Sequence, residues 1–176
     1  MIGTRREAAT RVVVCLCVTM TCAAIVGEAA AGMRGDVARE NRVMTTASGA
    51  FEVALRPLQT SDTTEGSLLG RMSLDKQFHG DLEAIGKGEM LTAGTSVSGS
   101  AGYVAIERVT GTLHGRKGGF VLQHTGTMAR GVPSLSITVV PDSGTGELEG
   151  LSGTMAITVA NRTHTYEMIY TFGDPR

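Results

Sequence analysis

The sequence predicts an all-β protein that folds as an eight-stranded antiparallel up-and-down barrel. From Ala50 onward, apolar and polar residues alternate with a period of two, which indicates strands with one buried face. Turn signals separate these runs at short intervals, and no segment has a convincing helical period. Eight strands with short connections favour a closed barrel, because closure removes the exposed edges of the sheet.

The eight predicted strands follow one another along the chain with short connections. They cover residues 50–57, 67–79, 83–97, 102–114, 119–130, 134–141, 147–159 and 163–172. Each run places apolar side chains at alternate positions, as a strand with one face in a core requires. The predicted barrel domain therefore spans residues 47–173.

Three hairpin registers bring the apolar positions of neighbouring strands onto one face. The cross-strand partners that they predict are Leu74 with Gly88, Met155 with Met168, and Val109 with His124. The last of these registers assumes a loop tip at Arg116-Lys117. Bulky side chains opposite glycines suit a strongly curved sheet with a tapering interior.

The first 43 residues differ in composition from the rest of the chain. They hold all three cysteines and six arginines against four acidic residues, so residues 44–176 carry a net charge of −3. Basic residues precede an apolar run from Val12 to Val26, and Ala29-Ala30-Ala31 offers a cleavage site, so residues 1–31 are predicted to be a signal peptide. The run is too short for a helix that spans a bilayer, so we expect no stable membrane span.

A second interpretation places the true translation start at Met44, with residues 1–43 assigned upstream by mistake. Cleavage after Ala31 would make the protein secreted or part of the cell envelope, with residues 32–46 as a disordered linker. A start at Met44 would make it cytoplasmic. On either interpretation the barrel domain has no cysteine, which excludes disulfides, thiolate catalysis and Cys-ligated zinc from it.

Composition and motifs exclude several classes of function. The net charge of −1 gives no support to a nucleic-acid partner. No histidine pair has metal-ligand spacing, and no G-x-S-x-G elbow is present. The glycines between Gly144 and Gly150 depart from the dinucleotide fingerprint, and no helix follows them. We therefore predict no metal and no cofactor.

Glu107 and His124 are the candidate catalytic residues. In the predicted register they lie diagonally on the same inward face of neighbouring strands, close enough to touch or to share a water molecule. A histidine and a carboxylate on an apolar lumen can serve as an acid and base pair. The alternative is a satisfied polar pair in a filled core, since an eight-stranded barrel is just wide enough to be packed by side chains.

Three tyrosines are the candidate ligand-binding residues. Tyr103 continues the face of Glu107, whereas Tyr166 and Tyr170 lie on the apolar face of the last strand. Buried tyrosines also serve as core residues whose hydroxyl groups bond to the backbone, so this alternative stays open. His79 and His114 fall at strand ends, where we expect them to be exposed to solvent.

Three long stretches resemble the bacterial DUF3224 family, whose function is unknown. They are residues 70–84, 102–115 and 120–128, and the similarity runs from about residue 45 to residue 172. The turn Gly144-Thr145-Gly146 with the leucines after it is also similar to a turn in allene oxide cyclases and dirigent proteins. This resemblance implies an allene oxide cyclase-like barrel and assembly into a homo-oligomer, but it supplies no activity.

Two functions from different classes fit these residues, and a third is weaker. The first is a binding module that holds a small hydrophobic molecule in the barrel lumen. The second is a cofactor-free cyclase or isomerase of the allene oxide cyclase type, in which the barrel folds a flexible substrate and one carboxylate steers charge. The third is a structural oligomer with a filled core.

Overall fold

The computed structural model describes residues 43–64 and 67–173. The proposed cleavage site after Ala31 and the three cysteines lie outside the described residues. Within them the chain forms nine strands and no helix, and therefore no helix that could cross a bilayer. The first strand begins at Thr45, so the last two residues of the predicted linker at 32–46 belong to the sheet.

The strands are bounded as follows. They are β1 Thr45–Thr64, β2 Ser67–Gly80, β3 Leu82–Thr95, β4 Ala101–Leu113, β5 Arg116–Ala129, β6 Val132–Val139, β7 Thr145–Gly146, β8 Leu151–Ala160 and β9 Thr163–Phe172.

Eight of these strands close into an antiparallel barrel, which confirms the predicted fold. Each pairs with the next one along the chain, and β9 pairs back with β1. The two-residue β7 pairs with the start of β5 and is not part of the barrel wall. The seam between β6 and β8 is the weakest, because Thr138 and Thr154 form its one bridge among the described residues.

One end of the barrel is filled by side chains. We call it the closed end; the β2–β3 and β4–β5 turns and the last residues of β9 lie there. Two hydrogen bonds hold the connection between β6 and β8 to β5. The backbone N–H of Glu147 donates to the carbonyl oxygen of Lys117, and the carboxylate of Glu147 accepts the backbone N–H of Lys117. This places Leu148 in the main core with 1% of its surface exposed, beside the fully buried Leu82 and Leu113.

The opposite end, which we call the open end, has walls of unequal height. β1 pairs with β9 only as far as Phe51 and His164, whereas β1 and β2 stay paired up to Thr64 and Ser67. Several large apolar side chains on the inward face are consequently left exposed here. They are Leu55, Leu68, Met128, Leu135 and Val159, with 42% to 61% of their surface accessible.

The predicted registers are confirmed in two hairpins and wrong in one. Leu74 pairs with Gly88 and Met155 with Met168, as expected. The β4–β5 tip is His114-Gly115 rather than Arg116-Lys117, so Ala105 faces His124 where Val109 was expected. The error is an even number of residues, so every side chain keeps the face that was predicted for it.

The reason lies in the backbone of the turn. Both His114 and Gly115 have positive φ angles, of 46° and 80°, which is the type I′ geometry of a two-residue hairpin. Asn161 and Arg162 form a turn of the same kind, with φ angles of 51° and 65°. Only the second of these turns lacks the glycine that this geometry favours.

Replacing Arg162 by glycine is therefore expected to stabilise the protein by about 1 kcal/mol, since it relieves a left-handed conformation at a non-glycine residue. The matched change Gly115→Arg should destabilise by a similar amount. Urea denaturation of both variants measures the two effects. Equal destabilisation by both would contradict this account of the turns.

Candidate functional site

A buried polar cluster lies in the middle of the barrel. It consists of Lys76 on β2, Glu107 on β4 and His124 on β5, which are the buried polar or charged side chains in the described part of the chain. Each occupies an inward position of its strand, flanked along that strand by outward, exposed or half-buried neighbours. We call these three residues the central triad.

One oxygen of Glu107 holds the triad together. Its Oε2 accepts a hydrogen bond from Lys76 Nζ at 2.8 Å and lies 3.1 Å from Nε2 of His124. A carboxylate that is ionised in its pair with Lys76 can only accept hydrogen bonds, so Nε2 of His124 is the donor in this contact. The ammonium of Lys76 also lies 4.9 Å from the ring centre of Phe51 and 5.4 Å from that of Phe78, within range of cation–π attraction.

The second carboxylate oxygen of Glu107 is buried and has no hydrogen-bond partner among the described residues. It occupies the place that a side chain at position 86 would take, because a Cβ built on Gly86 would overlap Oε1 and approach the ring of Phe78. Gly86 therefore makes room for the carboxylate. The remaining lone pairs of Glu107 are the unsatisfied element of the site.

The structure brings Glu107 and His124 together as the sequence predicts, and their catalytic role stays a prediction. Lys76 was not among the residues predicted from the sequence. The signal was present, because Lys76 sits between Leu74 and Phe78 on the apolar face of β2 and pairs with Gly86. A lysine at an inward position needs a carboxylate partner, and Glu107 is the acid that supplies it.

Tyr103 lies on the wall of a pocket inside the open end, which we call the mouth pocket. The pocket has a volume of about 490 Å³ and is lined mostly by inward side chains of β2 to β6. Among them are Leu68, Met90, Tyr103, Met128, Pro133 and Leu135. On β4 the inward positions run from Glu107 through Ala105 to Tyr103, so the mouth pocket begins above the triad.

The ring of Tyr103 packs against the backbone of Gly126, where a Cβ would overlap the ring. Burial raises the pKa of Tyr103 above its ordinary value of 10.0. The hydroxyl group is therefore neutral and able to donate a hydrogen bond.

Tyr166 and Tyr170 lie toward the closed end, away from the mouth pocket. The hydroxyl of Tyr166 accepts the N–H of Leu82 at 2.9 Å and donates to the carbonyl of His79 at 3.3 Å. The hydroxyl of Tyr170 is 2.7 Å from Nδ1 of His114. Burial raises the pKa of both tyrosines. These bonds match the alternative in which the hydroxyl groups serve the fold, and the ligand-binding role of the two residues stays a prediction.

A chain of polar contacts joins Tyr170 to the β2–β3 turn. Nε2 of His114 lies 3.5 Å from Oδ1 of Asp81, whose other oxygen accepts the backbone N–H of Ser48 at 2.8 Å. That bond from Ser48 is the largest influence on Asp81 and holds the pKa of its carboxyl below 3.8. Among the described residues, no group of three or more His, Cys, Asp or Glu side chains could hold a metal ion.

Removing the negative charge of the triad is expected to cost about 3–5 kcal/mol, since Glu107→Gln leaves a buried ammonium without a counter-charge. The double variant Lys76→Met/Glu107→Gln should lose less, because no buried charge remains and the amide oxygen still accepts from His124. Urea denaturation gives both values. A double variant less stable than Glu107→Gln would show that the ion pair is not what the site depends on.

The lowered pKa of Asp81 predicts an acid-dependent contribution to stability. A carboxyl whose pKa is depressed by folding stabilises the protein above its ordinary pKa, and the contribution is lost as the pH falls below 3.8 toward the folded-state value. The advantage of the wild type over Asp81→Asn should therefore shrink between about pH 5 and about pH 2. Chemical denaturation at several pH values measures it, and a gap that stays constant would rule this linkage out.

Comparison with known proteins gives a family but no activity. Residues 47–170 match the model described as "Protein of unknown function (DUF3224)". A crystal structure of a DUF3224 protein of unknown function from Shewanella oneidensis MR-1 is 53% identical to this chain, with a TM-score of 0.72. The similarity covers 75% of this chain and 100% of that one. No curated protein matches the sequence. The chain belongs to the DUF3224 family.

Proposed function

We propose that this protein binds a small hydrophobic molecule in the mouth pocket. The observation that carries the proposal is the pocket of about 490 Å³ inside the open end, within the range of about 300–1,000 Å³ that is usual for small-molecule sites. Its wall is made mainly of aliphatic and thioether side chains, with Tyr103 as a hydrogen-bonding group at its base. This mixture is typical of sites that hold apolar ligands in one orientation.

The exposed inward side chains support the same function. Leu68 and Met128 are 52% and 43% exposed although they point into the barrel. Covering such surface stabilises a complex by roughly 25 cal/mol for each Å² of apolar area removed from water. A ligand at the open end therefore covers apolar side chains that are otherwise exposed, as Leu148 does at the closed end.

The space for a ligand depends on inward positions that carry no side chain. Gly94 is one of them, and a Cβ built there would make only ordinary contacts, at 3.8 Å, with Leu68. Thr125 on β5 faces outward and is exposed. It borders an outer groove with Leu91 and Val104, and it does not line the mouth pocket. A leucine at Gly94 and a leucine at Thr125 therefore add apolar bulk on opposite sides of the sheet.

Wild-type protein is expected to bind the neutral fluorescent probe N-phenyl-1-naphthylamine with enhanced emission. Gly94→Leu should weaken this binding at least about tenfold, because its side chain fills the mouth pocket, whereas Thr125→Leu should leave it unchanged. Circular dichroism establishes that both variants fold. Loss of binding with Thr125→Leu in place of Gly94→Leu would assign the probe to the outer groove and refute the proposal, as would the absence of binding to any of the three proteins.

A cofactor-free isomerase or cyclase is the second candidate. The observation in its favour is the unpartnered Oε1 of Glu107, which could accept a proton from a substrate while His124 holds the other oxygen. Glu107 is fully buried beneath Ala105 and Tyr103, so a substrate would have to part this layer first. Binding in the mouth pocket requires no such rearrangement and is the function that we favour. Self-association and the place of the protein in the cell stay predictions from sequence.

A further inference from the structure

The mouth pocket carries no charge that could pair with an ionised ligand. None of the described residues that line it is acidic or basic, and Tyr103 is its one titratable group. Arg71 and Glu89, next in sequence to the lining residues Gly70 and Met90, face outward and bind each other, and Arg130 lies in the exposed turn between β5 and β6. The described wall of the pocket therefore offers an ionic ligand no side chain of opposite charge.

The buried ammonium of Lys76, below the pocket, is already paired with Glu107. Lys76 is 4% exposed, lies 2.8 Å from Glu107, and sits over two aromatic rings. An anionic ligand could recruit it only by competing with a carboxylate that is fully buried. The loss of that ion pair would leave Glu107 as an uncompensated buried charge.

Burial of an unpaired carboxylate in such surroundings is costly, because the ion gives up its hydration and gains no partner. The pKa of Tyr103 on the pocket wall shows the same effect, because burial disfavours its ionised form and raises the pKa above 10.0. A neutral ligand pays no such penalty, and its own hydroxyl, carbonyl or ester oxygen can accept a hydrogen bond from Tyr103.

We propose that the mouth pocket selects uncharged amphiphiles, such as long-chain alcohols, ketones or esters, and rejects the corresponding fatty-acid anions and alkylammonium ions. This inference rests on the proposed function, because it names the ligand class of the same pocket. It follows from the uncharged lining together with the engagement of Lys76 by Glu107.

Displacement of N-phenyl-1-naphthylamine tests the selectivity. Decanol, decanoate and decylammonium are titrated at about pH 8 into the probe complex of the full chain, at concentrations below micelle formation. Decanol should compete at least about tenfold more strongly than either ion. Equal competition by decanoate would overturn the inference and leave the binding function standing. If the probe does not bind at all, the proposed function itself is wrong.

A variant separates pocket selectivity from the greater water solubility of the ions. Met128 is an inward, half-exposed residue of the pocket wall, so Met128→Lys places an ammonium at its rim. This change should strengthen competition by decanoate several-fold and weaken that by decylammonium, whereas the neutral control Met128→Gln, which makes the wall more polar without adding charge, should leave the ratio between the two ions as it is in the wild type. If Met128→Lys leaves decanoate unchanged, charge in the pocket does not set the selectivity and the inference is wrong.

Discussion

The contact on which the rest of the interior depends is that between Glu107 Oε2 and the ammonium of Lys76. Two opposite charges are buried in an interior that is otherwise mostly apolar, and neither is tolerable there without the other. The surroundings are arranged for this pair: Gly86 leaves space for the carboxylate, Phe51 and Phe78 flank the ammonium, and His124 donates to the shared oxygen. The triad thus fixes the relative positions of β2, β4 and β5 at mid-height.

The ion pair also marks the boundary between two unlike halves of the barrel. On the closed side, Leu148 and the ends of the strands complete a packed core. On the open side, a small cluster of Leu74, Met90 and Ala105 forms a thin layer, and above it the inward side chains stand exposed. An eight-stranded barrel can be filled by side chains or can hold one small ligand. In this chain the closed end is filled by side chains, whereas the open end contains the mouth pocket.

Most of the fold could be predicted from the sequence, because strand alternation fixes which side chains face inward. Glu107 and His124 were predicted to share a face even though the β4–β5 register was wrong, since a shift by an even number of residues preserves the face. The turn itself could not be placed, because glycines at Gly115 and Gly118 offer two tips and only the backbone angles select the first.

The site was less accessible to sequence reasoning. Lys76 reads as a surface residue until its pairing with Gly86 and its partner Glu107 are known, and the two residues are 31 positions apart. The closed and open ends could not be told apart either, because this depends on the unequal heights of β1 and β9 and on where Leu148 folds back. The allene oxide cyclase-like character of the barrel stays an implication of the resemblance.

The central claim is that one end of the barrel is filled and the other accepts a ligand. Protein with 13C-labelled methionine methyl groups tests it directly, because Met90 and Met128 line the mouth pocket whereas Met155 and Met168 lie in the main core. Titration with N-phenyl-1-naphthylamine should shift the methyl signals of Met90 and Met128 and leave those of Met155 and Met168 in place. Shifts confined to Met155 and Met168, or no shift at Met90 and Met128 while the probe binds, would contradict the account.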